Sequence, residues 1–386
     1  MKQLIRQATV VLPDSLEKNC DLLIEDGRIA AIGYHLPVDS DYEVVSFSGD
    51  IMIPGLIDTH VHGAGGQDAM DATPQSLTLL RQALLREGTT AFLATTISSP
   101  FEQLSAVLAN IVAADHDDLQ AELLGVHLEG PFLTHRYKGA HIGDYLPPST
   151  AGKEIAALTH FIDTYPDLIR IITFAIERTD AKDLLALCQN HNIIASAGHT
   201  GADYSAMIHA AASGIRRLTH TFNAMPGIHH RDPGPITEGL LNPEIELEFI
   251  GDGVHIHPAI LEMALRLKPQ SKITLVSDGT RAVGMPNGQY ELGGQMTIVE
   301  NGTARLSDGT IAGSAYPLLQ GVRTIVQVLK RPLYEAVRLA SLNPAQTLGV
   351  SHRLGSLETG KDATFVRLDP NLVVKQVWVQ GKMMIS

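Results

Sequence analysis

The chain has 386 residues, of which 44% are hydrophobic and 18% charged, and its formal net charge is −13. This composition is typical of a globular enzyme and excludes a disordered or fibrous chain. The acidic excess argues against nucleic acid or an anionic membrane as the main partner, because both need clustered cations. No run reaches 18 apolar residues, the N-terminus lacks a secretory pattern and only two cysteines occur, so we expect a cytoplasmic protein.

Both ends of the chain are predicted to be β structure. Short apolar runs occupy residues 7–11, 21–25, 28–33, 363–368 and 372–379. Asp26-Gly27 lies between two of these runs and predicts a two-residue hairpin turn. Because neither end alone has enough strands to bury a sheet face, we predict that both join in one small β-sandwich domain, residues 1–50 plus 345–386.

Between these ends, apolar runs of strand length alternate with helical patterns, which indicates βα units around a parallel sheet. The predicted strands are residues 51–57, 89–96, 122–128, 169–176, 193–197, 215–220, 245–250 and 272–277. The predicted helices begin at Thr73-Pro74 and continue at 101–114, 151–164, 180–190, 202–212 and 258–267. Eight strands over about 230 residues predict an α/β fold of the (β/α)8 TIM-like type. A doubly wound open sheet is the alternative, but no Gly-rich dinucleotide motif follows an early strand.

The predicted barrel occupies residues 51–344 and contains an insertion after its eighth strand. Asn-Gly and Asp-Gly pairs in that region predict β-hairpin turns near residues 286–312. Helices at about 315–329 and 333–342 are predicted to return the chain to the terminal β unit.

The histidines are unevenly distributed, since 15 of the 17 lie within residues 60–257. In a barrel, functional side chains gather at the C-terminal ends of the strands. Potential metal ligands follow four of the predicted strands: His60, His62, Glu129, His199 and His220. His60 and His62 are two residues apart, so in an extended chain both imidazoles point to the same side. This ligand set suits zinc, iron, manganese or a related divalent ion, and five ligands allow either one ion or an adjacent pair.

Asp278 follows the eighth predicted strand and is a candidate base. A metal-dependent hydrolase needs a group that accepts a proton from water and later gives it to the leaving group. A carboxylate at the end of the last strand would face the ligand cluster across the barrel mouth. Taken alone, Asp278 would be interpreted as a turn or helix-cap residue, and only the cluster favours a catalytic role.

Several motifs occur in the order typical of one family. They are PGLID (54–58), HVHG (60–63), HLEGPF (127–132), SAGHT (196–200), THTFNAMP (219–226), RDPG (231–234), GDGVH (251–255), SDGT (277–280), AGS (312–314) and LGSLETGKDATFV (354–366). Together they resemble the N-acetylglucosamine-6-phosphate deacetylases of the amidohydrolase superfamily. The resemblance covers essentially the whole chain, and HLEGPF and THTFNAMP are far narrower motifs than a His-x-His pair.

The resemblance implies the roles of the strand-end residues. It implies that one divalent metal is held by Glu129, His199 and His220, with Asp278 as the catalytic acid and base. His60 and His62 match a pair that some members keep for a second ion and others replace. The number of ions per subunit, one or two, therefore remains open, and zinc, iron, manganese and cobalt are the candidates.

The resemblance also implies contacts to a phosphorylated N-acetyl amino sugar. His141 corresponds to a residue near the acetyl carbonyl, where an imidazole can stabilise a developing oxyanion. Arg231 and His255 match cations that bind the phosphate, and His255 is similar to a residue donated by the partner subunit of a homodimer. The remaining implied substrate-binding positions are Ala140, Asn223, Ala224, Ile311, Ala312 and Gly313, of which the last three match a loop that closes over the substrate.

The implied reaction is hydrolysis of N-acetyl-D-glucosamine 6-phosphate to D-glucosamine 6-phosphate and acetate. The galactosamine epimer is an alternative, because motifs do not place the side chains that distinguish one hydroxyl orientation. A cyclic-amide hydrolase related to the dihydroorotases would leave HLEGPF and THTFNAMP unexplained. A non-catalytic barrel of this type would have lost metal ligands or the base, whereas all of them are present here.

Overall fold

The computed structural model describes residues 2–37, 39–114, 120–149 and 152–385. Residue 151, the first residue of one predicted helix, lies outside these ranges. Within the described ranges, no helix is both long and apolar enough to cross a membrane.

An eight-stranded parallel sheet forms the centre of the molecule. Its strands are, in chain order, Leu56–Val61, Thr89–Thr96, Glu122–Glu129, Ile169–Phe174, Ile194–Ala197, Arg217–Leu218, Glu246–Ile250 and Ile273–Val276. Each strand pairs with the next along the chain. The first and eighth strands approach each other, and the backbone N–H of Asp278 donates to the carbonyl of His60 at 3.0 Å. The sheet is therefore a nearly closed barrel, which confirms the predicted (β/α)8 fold.

Helices cover the outside of the barrel. They are Pro74–Arg86, Phe101–Val112, Gly152–Thr164, Ala181–Asn190, Tyr204–Ser213, Gly234–Leu241, Pro258–Leu267, Leu318–Arg323, Leu333–Ala340 and Leu342–Thr347, with a π-helical turn at Thr324–Val328. The first helix begins as predicted, because the Thr73 side chain accepts a hydrogen bond from the backbone N–H of Ser76 and proline follows it. Leu77, Leu80 and Leu84 recur at helical spacing on its buried face.

The structure corrects two of the predicted elements and adds one helix. The run 51–57 is not one strand, because Ile51–Pro54 belongs to the terminal sheet and Leu56–Val61 to the barrel. The predicted strand at 215–220 is only Arg217–Leu218, since the chain leaves the β region at His220, where φ is +29°. The helix Gly234–Leu241 was not predicted from the sequence.

Gly55 separates the two strands of the run 51–57. A Cβ at this position would lie 2.1 Å from the Oγ1 atom of Thr90, so only glycine fits this close approach. Hydrophobicity could not divide the run, because residues on both sides of Gly55 are buried.

Strands from both chain ends form a second sheet of eight strands. These are Lys2–Val11, Leu16–Glu25, Arg28–Gly33, Glu43–Ser46, Ile51–Pro54, Phe365–Leu368, Val374–Val379 and Lys382–Ile385. Asp26 and Gly27 both have positive φ, as a hairpin turn with two left-handed residues requires. The rings of Phe365 and Trp378 stack at 5.3 Å in its core. The prediction that both ends build one β unit is confirmed, while the domain bounds 1–50 plus 345–386 and 51–344 stay a prediction.

A four-stranded antiparallel sheet lies between the eighth barrel strand and the last helices. Its strands are Gly288–Leu292, Gln295–Glu300, Thr303–Arg305 and Ile311–Ser314. The backbone N–H of Ser314 donates to the carbonyl of Asp278 at 2.8 Å. The last of these strands is thereby fixed against the C-terminal mouth of the barrel.

Candidate active site

A cavity of about 580 Å³ opens at the C-terminal end of the barrel strands. Most of the residues singled out from the sequence line it: His62, Glu129, Ala140, His141, His199, His220, Asn223, Ala224, His255, Asp278, Ile311, Ala312 and Gly313. His60 lies directly beneath the lining and is fully buried. Arg231 is the one residue of the predicted set that the fold does not bring to the cavity region.

Glu129 is the centre of the strand-end cluster. Its Oε1 atom lies 3.1 Å from Nε2 of both His199 and His220, and these two nitrogens are 2.9 Å apart. Nε2 of His60 is 3.5 Å from the same oxygen, and Nε2 of His62 is 3.5 Å from the other carboxylate oxygen. All five predicted metal ligands therefore present one atom each to a single buried space.

Hydrogen bonds on the far side of two rings decide what these nitrogens offer. Nδ1–H of His199 donates to the carbonyl of Tyr137 at 2.8 Å, so in the neutral ring Nε2 carries a lone pair. Nδ1–H of His60 donates to Glu248 at 2.7 Å, with the same consequence. Each Nε2 lone pair then faces an oxygen of Glu129, which can only accept. Convergence of acceptors with no hydrogen between them suits a divalent cation, so the residues present fit a metal ion.

Asp278 faces this cluster from the end of the eighth strand. Its Oδ1 atom lies 3.3 Å from Nε2 of His62 and 3.4 Å from Nε2 of His60. Burial alone would raise the pKa of Asp278, but in the metal-free protein the charge of protonated His60 and the hydrogen bond from His62 lower it. Burial would likewise raise the pKa of Glu129, which His60 and His199 hold well below its usual range. Both carboxyl groups are therefore ionised at neutral pH.

His141 carries its proton on the opposite nitrogen to His60. The backbone N–H of Ser98 donates to Nδ1 of His141 at 3.1 Å, and Ser98 Oγ lies 2.7 Å from the same nitrogen. Nδ1 is therefore an acceptor and Nε2 bears the hydrogen. Burial lowers the pKa of His141 to about 4, so the ring is neutral. Nε2–H points into the site, 3.2 Å from an oxygen of Glu129.

Three side chains of the cluster are placed by left-handed backbone. His199, His220 and Asp278 have φ values of +47°, +29° and +48°. For residues other than glycine, such conformations cost of order 1–3 kcal/mol each and persist only where surrounding contacts hold them. The sharp turns aim these side chains across the barrel mouth, and they explain why the strands end at these positions.

The predicted phosphate residues lie in different surroundings. His255 lines the cavity of its own chain, and its Nδ1–H donates to Asp252 at 2.7 Å. Its Nε2 atom is buried and has no hydrogen-bond partner among the described residues. The Arg231 side chain is exposed outside the cavity, with Nη1 2.7 Å from Nε2 of His230. The chain by itself therefore does not place Arg231 where the sequence interpretation expected it.

Ile311, Ala312 and Gly313 line the cavity from the edge strand Ile311–Ser314 and not from a loop. The φ of Gly313 is +80°, and a Cβ there would lie 2.8 Å from the carbonyl oxygen of Asp278. A side chain at position 313 would therefore displace the backbone of Asp278.

Sequence reasoning missed part of the lining: Ile97, His135, Arg136, Tyr137, Lys138, Leu292, Asp308 and Thr310. The segment 135–138 follows the third barrel strand, and loops at that end of a barrel form the mouth. Its run of basic and aromatic residues was therefore a usable signal. Lys138 also holds the segment that carries His141, because its Nζ donates to the His141 carbonyl at 3.1 Å.

Comparison with known proteins agrees with this geometry. The family model described as the amidohydrolase family matches residues 51–384. The N-acetylglucosamine-6-phosphate deacetylase of Vibrio furnissii is 40% identical over 87% of this chain and 83% of its own length. The N-acetylgalactosamine-6-phosphate deacetylase of Escherichia coli O157:H7 is 35% identical over 99% of both chains. The crystal structure of N-acetylglucosamine-6-phosphate deacetylase from Pasteurella multocida superposes over the whole of both chains with a TM-score of 0.91 at 26% identity.

Proposed function

Since the chain belongs to the amidohydrolase family and is a hydrolase of an amide bond, we propose that it hydrolyses N-acetyl-D-glucosamine 6-phosphate to D-glucosamine 6-phosphate and acetate. The proposal depends on one observation: a single cavity contains the cluster of His and Glu metal-ligand atoms, the ionised Asp278 and the Nε2–H of His141. Acyl transfer to water needs a base, a group that stabilises the oxyanion and a site for the amide.

Glu129, His199 and His220 would hold one divalent cation. His60 and His62, together with the Glu129 carboxylate, would hold another. A cation bound there supplies Lewis-acid polarisation of the amide carbonyl and lowers the pKa of water. We propose zinc or iron, with manganese and cobalt as alternatives that the same nitrogen and oxygen ligands accept.

His141 is proposed to bind the carbonyl oxygen of the acetamide. Because the Ser98 backbone fixes the hydrogen on Nε2, the ring is a ready donor that needs no reorganisation as negative charge develops on that oxygen. Its neutral state leaves it unable to give up a second proton, so donation of a hydrogen bond is its only contribution.

Asp278 is proposed to move the protons. As a carboxylate it accepts a proton from the attacking water, and the resulting acid donates that proton to the amide nitrogen as the C–N bond breaks. Its position against His60 and His62 keeps it in the basic form at the start of the cycle.

The far part of the cavity is proposed to bind the sugar phosphate. Nδ1–H of His255 donates to Asp252 behind the ring, so Nε2, which has no partner among the described residues, is the atom that would meet the phosphate. The remaining proposed sugar contacts come from Ala140, Asn223, Ala224, Ile311, Ala312 and Gly313. We also propose a homodimer. The His255 ring lines the cavity of its own chain, and its contact with a substrate in the partner subunit stays a prediction.

The test is acetate release from N-acetyl-D-glucosamine 6-phosphate by purified protein, before and after removal of metal by a chelator. We expect turnover that chelation abolishes and added Zn²⁺ or Fe²⁺ restores. No acetate release from the metal-loaded protein would contradict the proposed reaction.

N-acetyl-D-galactosamine 6-phosphate is the second candidate substrate. The relative from E. coli O157:H7 that bears this activity in its name aligns with 99% of the chain, more than the 87% covered by the V. furnissii relative. Comparison of kcat/KM for the two epimers decides between them.

A further inference from the structure

Glu248 lies beneath the strand-end cluster and has no part in the proposed reaction. It is on the barrel strand Glu246–Ile250, and its side chain is fully buried. A buried carboxylate is costly unless it is paired and hydrogen-bonded. Glu248 meets that condition, because its two oxygens accept four hydrogen bonds in two different directions.

The Oε1 atom of Glu248 contacts one ligand of each proposed ion position. It accepts Nδ1–H of His60 at 2.7 Å and the backbone N–H of His220 at 3.0 Å. His60 belongs to the position shared with His62, and His220 to the position shared with His199. These two contacts are of different kinds, since one fixes the tautomer of a ring and the other fixes a backbone.

The contact to His60 decides where that ring has its lone pair. A carboxylate only accepts, so Nδ1 must carry the hydrogen, and in the neutral ring Nε2 has its lone pair directed toward Glu129 and Asp278. The contact to His220 holds a residue whose φ of +29° is unfavourable for a side chain other than glycine. Without that acceptor, the turn that aims His220 at Glu129 would lose a hydrogen bond.

Arg217 pairs with Glu248 and orients its carboxylate. Its Nε and Nη2 donate to Oε2 of Glu248 at 3.1 and 2.8 Å, and Nη2 also donates to Thr59 at 2.8 Å. The guanidinium is fully buried and also pairs with Glu246. This two-pronged pairing leaves Oε1 free to accept from the two histidines.

We propose that Glu248 is a positioning residue that serves both ion positions at once, through the His60 tautomer on one side and the His220 backbone on the other. The proposal rests on the metal site of the proposed function but not on the identity of the substrate. Outer hydrogen-bond partners of metal-binding histidines typically affect metal affinity by about 10–100-fold.

The chain offers a matched control in Glu246. It lies two residues earlier on the same strand and pairs with the same arginine. Among the described residues, its side chain accepts hydrogen bonds from Arg217, Thr274 and Thr347, and from neither histidine. Glu248→Gln and Glu246→Gln each replace one carboxylate acceptor of Arg217 by an amide, at a fully buried and a partly buried position. Only Glu248→Gln removes the obligatory acceptor beside His60 and His220.

The experiment titrates Zn²⁺ into the metal-free full-length protein against a competing chelator. We expect Glu248→Gln to lower Zn²⁺ affinity by about 10–100-fold, and Glu246→Gln to stay within about threefold of the wild type. Wild-type affinity in Glu248→Gln, or an equal loss in Glu246→Gln, overturns the proposal.

A second measurement needs no folded variant of Glu248. In the ¹⁵N-histidine-labelled wild-type protein, free of metal and at a pH where the ring is neutral, we expect His60 to carry its hydrogen on Nδ1. A hydrogen on Nε2 overturns the proposal. A wild-type protein that binds no Zn²⁺ overturns both this inference and the proposed metal site, whereas Zn²⁺ binding without deacetylation overturns only the proposed substrate.

Discussion

The floor and the rim of the cavity are built differently. The floor consists of His60, His62, Glu129, His199, His220 and Asp278, which follow barrel strands and are nearly all buried. The rim consists of the segment 135–141, His255 and residues 311–313, and Arg231 lies on a loop outside it. Several floor residues have a hydrogen-bond partner behind them that fixes their orientation, whereas the side-chain hydrogen bond that the described residues give Arg231 is to His230, its neighbour on the same loop. The difference teaches that one chain preorganises the bond-breaking groups and the His255 ring, while the second predicted phosphate cation, Arg231, is left outside the cavity.

The largest expected effect comes from the floor residue Asp278. Asp278→Asn removes the proton acceptor and should lower kcat by about 10³-fold or more. Metal content, measured by elemental analysis, should stay near normal, because the five proposed ligands remain. Asp14→Asn, at an exposed surface position, is the control. Normal turnover in Asp278→Asn would show that Asp278 is not the catalytic base.

His141 connects floor and rim and should have the next largest effect. His141→Asn should lower kcat by about 10²–10³-fold, the usual effect of losing one oxyanion donor. Ser98→Ala is the matched variant, since it keeps the backbone N–H that fixes the His141 tautomer, and we expect it to stay within about threefold of wild type in steady-state kinetics. A loss in Ser98→Ala as large as in His141→Asn would assign that role to the hydroxyl.

At the rim, His255→Ala should act on substrate binding. Loss of a charge-assisted hydrogen bond to phosphate should raise KM about 10–100-fold and change kcat much less. The control substrate is N-acetyl-D-glucosamine without phosphate, for which the variant and the wild type should have the same kcat/KM. Equal losses with both substrates would mean that His255 does not meet the phosphate.

Arg231 should have a smaller effect that depends on subunit association. Its exposed guanidinium lies outside the cavity of its own chain, and we infer that it reaches a substrate across the interface of the proposed homodimer. We expect Arg231→Ala to raise KM by roughly threefold to tenfold in the associated protein and to have no effect after dilution to monomers. Kinetics over a range of protein concentrations, with sedimentation as the measure of association, would test this. A KM increase that persists in the monomer would place Arg231 within its own cavity.

The terminal sheet lies outside both floor and rim, so a change there should affect stability alone. Burial would raise the pKa of Asp50, but its ion pairs with Lys375 and Arg367 lower it. A carboxyl group with a lowered folded-state pKa stabilises the fold above its unfolded pKa of about 3.9, and that contribution is lost as the pH falls further. Asp50→Asn should therefore cost about 1–3 kcal/mol at pH 7 and progressively less below pH 4, as measured by denaturant unfolding. An unchanged kcat is expected, and a pH-independent loss would contradict the ion-pair explanation.

The sequence was most informative where function coincides with strand ends. The apolar runs predicted the number and order of the eight barrel strands, with wrong bounds for the first and the sixth, and the polar residues at their ends contained the whole floor. The layer below was not predictable, because Glu248 and Arg217 lie within strands where charged side chains are rarely fully buried. Only the barrel brings Glu248 and His60, 188 residues apart in the chain, into contact. The exposed position of Arg231 could not be predicted from its motif either, because RDPG describes a local sequence and says nothing about the distance of that segment from the cavity.

The strand Ile51–Pro54 has a consequence for synthesis of the chain. It pairs on one side with Lys2–Val11 and on the other with Phe365–Leu368. Roughly 300 residues lie between Ile51–Pro54 and Phe365–Leu368, and a ribosome needs about 15–60 s to add them at about 5–20 residues per second. During that time the nascent chain has an apolar strand with one open edge, directly attached through Gly55 to the first strand of the barrel. Open edges of this kind pair readily with other chains. The final strands therefore cover this edge last. A polypeptide that ended between residues 347 and 365 would contain every barrel strand and helix, but the edge of Ile51–Pro54 would stay open to pairing with other chains.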